Sequence, residues 1–199
     1  MMLRIPIYLA SQSPRRSELL ACAGISFEAV SSTYEERPND EAETPDVYVM
    51  RQAEGKAFAA NIPDGECLLV VGADTIVSAG GEVLGKPKDE ADAARMLRIL
   101  SGTSHEVLTG VSFRTVRDGA SDRVDTICVR TRVFFRRLSD DEIAAYVVTG
   151  EPLDKAGAYA IQGRAAAFVE RIEGSYTNVV GLPLAEVYEY LERYAKSTE

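Results

Sequence analysis

The chain has 199 residues, of which 46% are hydrophobic and 27% charged, and it carries a formal net charge of −9 at pH 7. That size and composition fit one globular domain, 1–199, or two small lobes sharing one core, and no apolar run approaches the roughly 20 residues that span a bilayer. Strong acidity opposes nucleic-acid or anionic-membrane partners and leaves room for a small phosphorylated ligand held in a local basic pocket.

Leu3 to Ala10 reads as a first buried strand, too short for a signal-peptide core. Ser13 and Pro14 then open a helix that Gly24 stops, with Ser13 at the N-cap and Pro14 as first helical residue. Arg15 and Arg16 sit in its first turn, where the helix dipole disfavours cations unless an anion is near. Ile25 to Ser31 is a strand, and residues 32–43 form a polar loop containing Glu35 and Glu36. Thr44-Pro45 starts a second helix carrying Val47, Met50, Ala53, Ala57 and Phe58 on its apolar face. Cys67 to Val71 and Thr75 to Ser78 are predicted as two short strands, the second turning at Ala79-Gly80-Gly81. A helix follows over Asp89 to Leu100. Val107 to Arg117 and Arg123 to Phe135 form a long hairpin around Asp118 to Ser121, with Ile127, Val129, Val133 and Phe135 on one face. Ser139 to Glu142 is a capping box for a helix closed by Gly150, a strand lies near Phe168 to Ile172, and a last helix runs from Pro183. Interleaved strands and helices with hairpins give an α/β fold with a mixed sheet.

Gly80 to Lys86 has the spacing of a Walker loop, but Pro87 stands where a magnesium-binding hydroxyl is required, so Gly80-Gly81 reads as a turn and Lys86 remains a phosphate contact. Asp74 lies at the end of a buried strand, where ligands of α/β sheets collect; an Asp that merely caps a turn is equally common there. The acid pair Glu35-Glu36 alone is ordinary solvated surface, yet with Asp74 it would suit Mg²⁺ or Mn²⁺, which take few protein carboxylates beside phosphate oxygens. Lys56 alone reads as part of a solvated helix face. His105 is the only histidine, which excludes a His-paired nucleophile and a two-His zinc site and leaves it a structural hydrogen-bonding role. Tyr159, Phe168 and Tyr176 could stack on a base but belong more often to a core. The odd, dispersed Cys22, Cys67 and Cys128 predict reduced thiols in a cytoplasmic core. Hard carboxylates, scattered cations and no nucleophile fit metal-assisted attack of water on a phosphoanhydride.

Six blocks, LASQSPRRSELL, VGADTIV, GEVLGKP, MLRILSGTSHEVLTGV, EPLDKAGAYAIQG and GSYTNVVGLPL, occur in an order and spacing that closely resemble the Maf family of nucleoside triphosphate pyrophosphatases. The resemblance implies a cytoplasmic homodimer of mixed, twisted sheet with flanking helices, two lobes around a central cleft, like the inosine triphosphatases. It also implies hydrolysis of a nucleoside triphosphate to monophosphate and pyrophosphate with a divalent cation (Mg²⁺, Mn²⁺ or Co²⁺), and a link to septum formation. On the same resemblance Asp74 is the general base, Ser13, Arg16, Lys56 and Lys86 hold the triphosphate, and Glu36 joins Asp74 at the metal. Arg15, Thr75 and Gln162 match the positions that separate subfamilies, in the combination of the dTTP/UTP branch; the 7-methyl-GTP branch has other residue types there. Ala160 departs from the Gly frequent in relatives. The competing readings are that 7-methyl-GTP branch, which a substrate panel separates, and a non-catalytic nucleotide-binding regulator of cell division, which a pyrophosphate-release assay separates.

Overall fold

A computed structural model describes residues 5–38, 43–64 and 67–197. The first two residues of the expected opening strand, Leu3 and Arg4, and residues 39–42 of the expected loop lie outside them. The chain forms two compact units: Met1–Asp74, Thr109–Val129 and Gly181–Glu199 make the first, and Thr75–Leu108 with Arg130–Val180 the second. Among the described residues one seven-stranded sheet has the order β2-β1-β3-β5-β6-β7, with β4 on β3. These strands are β1 (Ile7–Ala10), β2 (Glu28–Val30), β3 (Cys67–Ala79), β4 (Glu82–Leu84), β5 (Ser104–Arg117), β6 (Ala120–Phe135) and β7 (Val169–Glu173). β1 is parallel to β2 and β3, whereas β3/β4 and β6/β7 are antiparallel, so the sheet is mixed as expected.

In the first unit the period-two alternation of strands sorts side chains onto two faces. Ile7, Leu9, Leu69, Val71, Val111 and Phe113 pack with Leu20 of α1 (Pro14–Cys22) and with Val187, Tyr190 and Leu191 of α6 (Leu184–Ser197). Tyr8, Ala10, Leu68 and Val70 pack with Ala57 of α2 (Pro45–Phe58) on the other face. α2 comes down so far that a Cβ at Gly72 would stand 2.3 Å from the Ala53 carbonyl oxygen.

The second unit packs α3 (Glu90–Leu100) against α4 (Asp140–Val147). The capping box is present: Ser139 Oγ accepts from the Glu142 N–H, and the Glu142 carboxylate accepts from the Ser139 N–H. Between β5 and β6 both turn residues take positive φ, Asp118 at 51° and Gly119 at 76°, the mirror-image turn that matches strand twist. α5 (Tyr176–Val180) and three single 3-10 turns over Glu151–Asp154, Ala156–Ala158 and Arg164–Phe168 complete the unit.

Four expectations need correction. The two short strands of residues 67–78 are one, β3, because Gly72 does not break the strand and Ile76 and Val77 resume its burial. α2 turns Val49, Gln52, Ala53 and Ala57 inward, while Val47 and Phe58 are about half exposed, at 48% and 50%. Cys22 is exposed and Cys67 and Cys128 are half-buried, so none of the three lies in the core. Ser13 occupies the N-cap with extended backbone, but its hydroxyl makes no capping bond. No helix among the described residues is long and apolar enough to cross a membrane.

Candidate active site

Asp74 was expected at a strand end and lies inside β3, on the face that also carries Gly72. Because Gly72 lets the α2 backbone approach, the next side chain on that face, Asp74, meets the last turn of α2. There Lys56 Nζ stands 2.6 Å from Asp74 Oδ1 and 2.7 Å from Glu36 Oε1. The Lys56 and Asp74 side chains are only 16% and 13% exposed, so Lys56 is not part of a solvated face.

The loop bearing Glu36 is tied to α2 at several points. Ser32 Oγ donates to the Lys56 carbonyl at 3.0 Å, and the Gln52 amide donates to the Arg37 carbonyl at 2.6 Å. Arg51 grips Glu43 through two hydrogen bonds of 2.8 and 2.7 Å. The ring of Tyr34 covers Gly55, where a Cβ would meet it at 2.1 Å. Tyr48 of α2 lies in the field of Asp74 and Glu36; burial first, and then these carboxylates, hold its phenol above the usual range, opposed by a hydrogen bond with Gln52. Sequence reasoning missed Tyr34, Tyr48 and Gln52. The one available signal was Gln52, a polar residue three positions after Val49 on the buried face.

At the start of α1, Arg16 Nε donates to the Gly181 carbonyl at 2.8 Å and Nη1 to Ser11 Oγ at 3.1 Å. Burial lowers the Arg16 guanidinium from its ordinary value, Asp74 and Glu36 raise it, and neighbouring Arg15 lowers it again. Arg16, Glu36, Lys56 and Asp74 therefore form one charge cluster in the first unit. Ser13 and half-buried Arg15 flank it on the same helix start. The Ser13 N–H donates to Ser11 Oγ at 3.2 Å.

The remaining expected residues belong to the second unit. Half-buried Thr75 follows Asp74 along β3, exposed Lys86 follows β4, and exposed Gln162 sits on the turn Ala160–Gly163, which is closed by the Gly163 N–H donating to the Ala160 carbonyl at 3.0 Å. His105 is buried and its Nε2 lies 2.8 Å from Tyr159 Oη, with Phe135 packed edge-on. Burial pushes the imidazole down to about 4, so it is neutral and structural, in keeping with the sequence reading. Tyr159 and Phe168 are core residues, whereas Tyr176 is 47% exposed.

A family model described as Maf-like protein matches residues 6–194. A dTTP/UTP pyrophosphatase of Geobacter sulfurreducens is 56% identical over 94% of this chain and 95% of its own length. One from Geotalea uraniireducens is 55% identical over 94% of each chain. A solved nucleoside-triphosphatase / dITP/XTP pyrophosphatase of Mycobacterium abscessus, 17% identical, superposes with a TM-score of 0.39 over 67% of this chain and 76% of that one.

Proposed function

The chain belongs to the Maf-like protein family, and from that premise we propose that it hydrolyses dTTP and UTP, ordinary or modified, to the nucleoside monophosphate and pyrophosphate. One observation carries the chemistry: the Lys56 ammonium held between Asp74 and Glu36, with Arg16 in the same field. A triphosphate offers Lys56 and Arg16 anionic oxygens, with Ser13 and Lys86 as further phosphate contacts. Once Lys56 turns to the phosphates, Asp74 accepts a proton from the attacking water. The water oxygen bonds to the α-phosphorus as the bridging oxygen to the β-phosphorus leaves with pyrophosphate.

Glu36 and Asp74 also fit a hard divalent cation, because together they already hold a cationic group between them. Among the described residues no group of three or more His, Cys, Asp or Glu side chains could hold a metal, so substrate phosphates and water would complete the shell. When bound, Mg²⁺, Mn²⁺ or Co²⁺ would offset charge developing on the phosphate oxygens. Gln162, with an amide donor and acceptor, suits the O4 and N3–H edge shared by uracil and thymine; Arg15 and Thr75 add a cationic donor and a hydroxyl.

The test is product analysis: purified protein given dTTP should release pyrophosphate and dTMP, and orthophosphate as first product would overturn the reading. The family resemblance also supports a cytoplasmic homodimer with a tie to septum formation; light scattering and a depletion phenotype check these.

A further inference from the structure

We propose that Tyr146 and Glu151 are positioning residues for base selection, because they fix both ends of the turn that carries Gln162. The inference rests on reading Gln162 as the contact to the base. Neither residue belongs to the charge cluster of the first unit.

The geometry is a closed ring of hydrogen bonds within the second unit. Tyr146, 3% exposed at the end of α4, donates through its hydroxyl to Glu151 Oε1 at 2.9 Å. The same hydroxyl accepts from the Ala160 N–H at 3.2 Å, at the first residue of the turn. Just beyond the turn, the Arg164 N–H donates to Glu151 Oε1 at 3.0 Å and Oε2 at 3.2 Å. The turn between these two anchors is closed by its own Gly163 to Ala160 bond. Gly163 is required for the carboxylate to come this near, since a Cβ there would stand 2.0 Å from Glu151 Oε1. Burial and the Glu151 carboxylate keep the Tyr146 phenol protonated far above neutrality, so it remains a donor. Ile161 is buried under the turn while Gln162 faces solvent. The place of the Gln162 amide is thus set by residues that need not touch the base themselves. Loosening either anchor frees an exposed amide whose value lies in its aim.

The experiment compares kcat/KM for dTTP and CTP in wild type, Tyr146→Phe, Glu151→Ala, Glu151→Gln and Gln162→Ala, with thermal melts of each. Tyr146→Phe and Glu151→Ala should lower the dTTP/CTP ratio by roughly 10- to 100-fold, the scale on which misplacing a positioned group acts. Glu151→Gln, which keeps an oxygen able to accept from both Tyr146 and Arg164, should restore most of the ratio. If Glu151→Ala does not fold, Tyr146→Phe carries the test, since it preserves the buried ring. A proportional fall for both nucleotides marks a merely structural role and overturns the proposal. An altered ratio in Gln162→Ala with none in Tyr146→Phe overturns the positioning role alone. An unchanged ratio in Gln162→Ala overturns the base-contact reading and the proposal with it.

Discussion

Gly72 of β3 and Ala53 of α2 are in such close approach that no side chain fits between them, and Gly110 of β5 repeats the relationship, with a Cβ position 2.5 Å from the Val49 carbonyl oxygen. Two glycines under one helix let its backbone lie directly on the sheet. That closeness, rather than a long reach by Lys56, brings its ammonium to Asp74.

Replacing Gly72 with Val should therefore cost both stability and turnover. Overpacking of this kind typically costs about 1–3 kcal/mol, more where backbone is the obstacle. Urea denaturation should show a lower midpoint, and kcat/KM should fall further than Val at open Gly85 would produce. An unchanged midpoint would mean that α2 shifts freely.

Asp74→Asn should leave the protein folded and cut kcat by about 10²–10⁴-fold, the usual share of a general base. Circular dichroism checks the fold, and pyrophosphate release checks the rate. Activity within a few-fold of wild type would remove Asp74 from that role.

Excess chelator should abolish pyrophosphate release, and Mg²⁺, Mn²⁺ or Co²⁺ should each restore it, because the donors are oxygen atoms. Glu36→Gln should raise the metal concentration needed for half-maximal rate. Full activity in chelator would exclude the cation from the chemistry.

Base choice is tested by kcat/KM for dTTP, UTP, CTP, GTP and 7-methyl-GTP side by side. dTTP and UTP should lead, since a mismatched edge leaves polar groups that the bound base covers unpaired, at roughly 1–3 kcal/mol each. Gln162→Glu should weaken the preference. Either guanine nucleotide leading would move the chain to another branch and leave pyrophosphate release standing.

His105 gives the fold a pH dependence of known sign. Its imidazole is held at about 4 in the folded protein, against an ordinary 6.5, so the unfolded chain binds the extra proton first. Its contribution is intact above pH 6.5 and is lost progressively as pH falls towards about 4, by up to about 3 kcal/mol. Other groups titrate over the same window, so the measurement is the difference between wild type and His105→Phe in urea midpoints at pH 7.5, 6 and 5. Parallel slopes for the two proteins would contradict the assignment.

What the sequence made legible was local. The hairpin and the Ser139–Glu142 capping box each depend on a few adjacent residues and both formed, but the hairpin turns on Asp118-Gly119 alone and β6 begins at Ala120, where a loop to Ser121 was expected. Asp74 was misplaced because Gly72 looks alike whether it ends a strand or admits a helix. Only the distant Ala53 and Ala57 distinguish the two. The family resemblance named the members of the Lys56 cluster, but their contacts were illegible for the same reason, being made across α2, β3 and a loop. α5 escaped because one and a half turns leave no periodicity to read. Tyr146 and Glu151 escaped because hydrogen bonds to backbone leave no mark in the spacing of side chains.

The chain leaves the first unit after Asp74, returns at Thr109, leaves after Val129 and comes back only at Gly181. The last return brings Leu182, Val187 and Leu191 into the cluster around Leu9, and stacks Tyr190 on Phe113 at 3.7 Å. During synthesis on the ribosome, β1 and β3 must wait with one apolar face only partly covered until the final helix emerges. Contacts of such sequence separation form slowly. Over that interval the growing chain exposes apolar surface of the kind that aggregates, and truncation before α6 should leave this core without the side chains that close it.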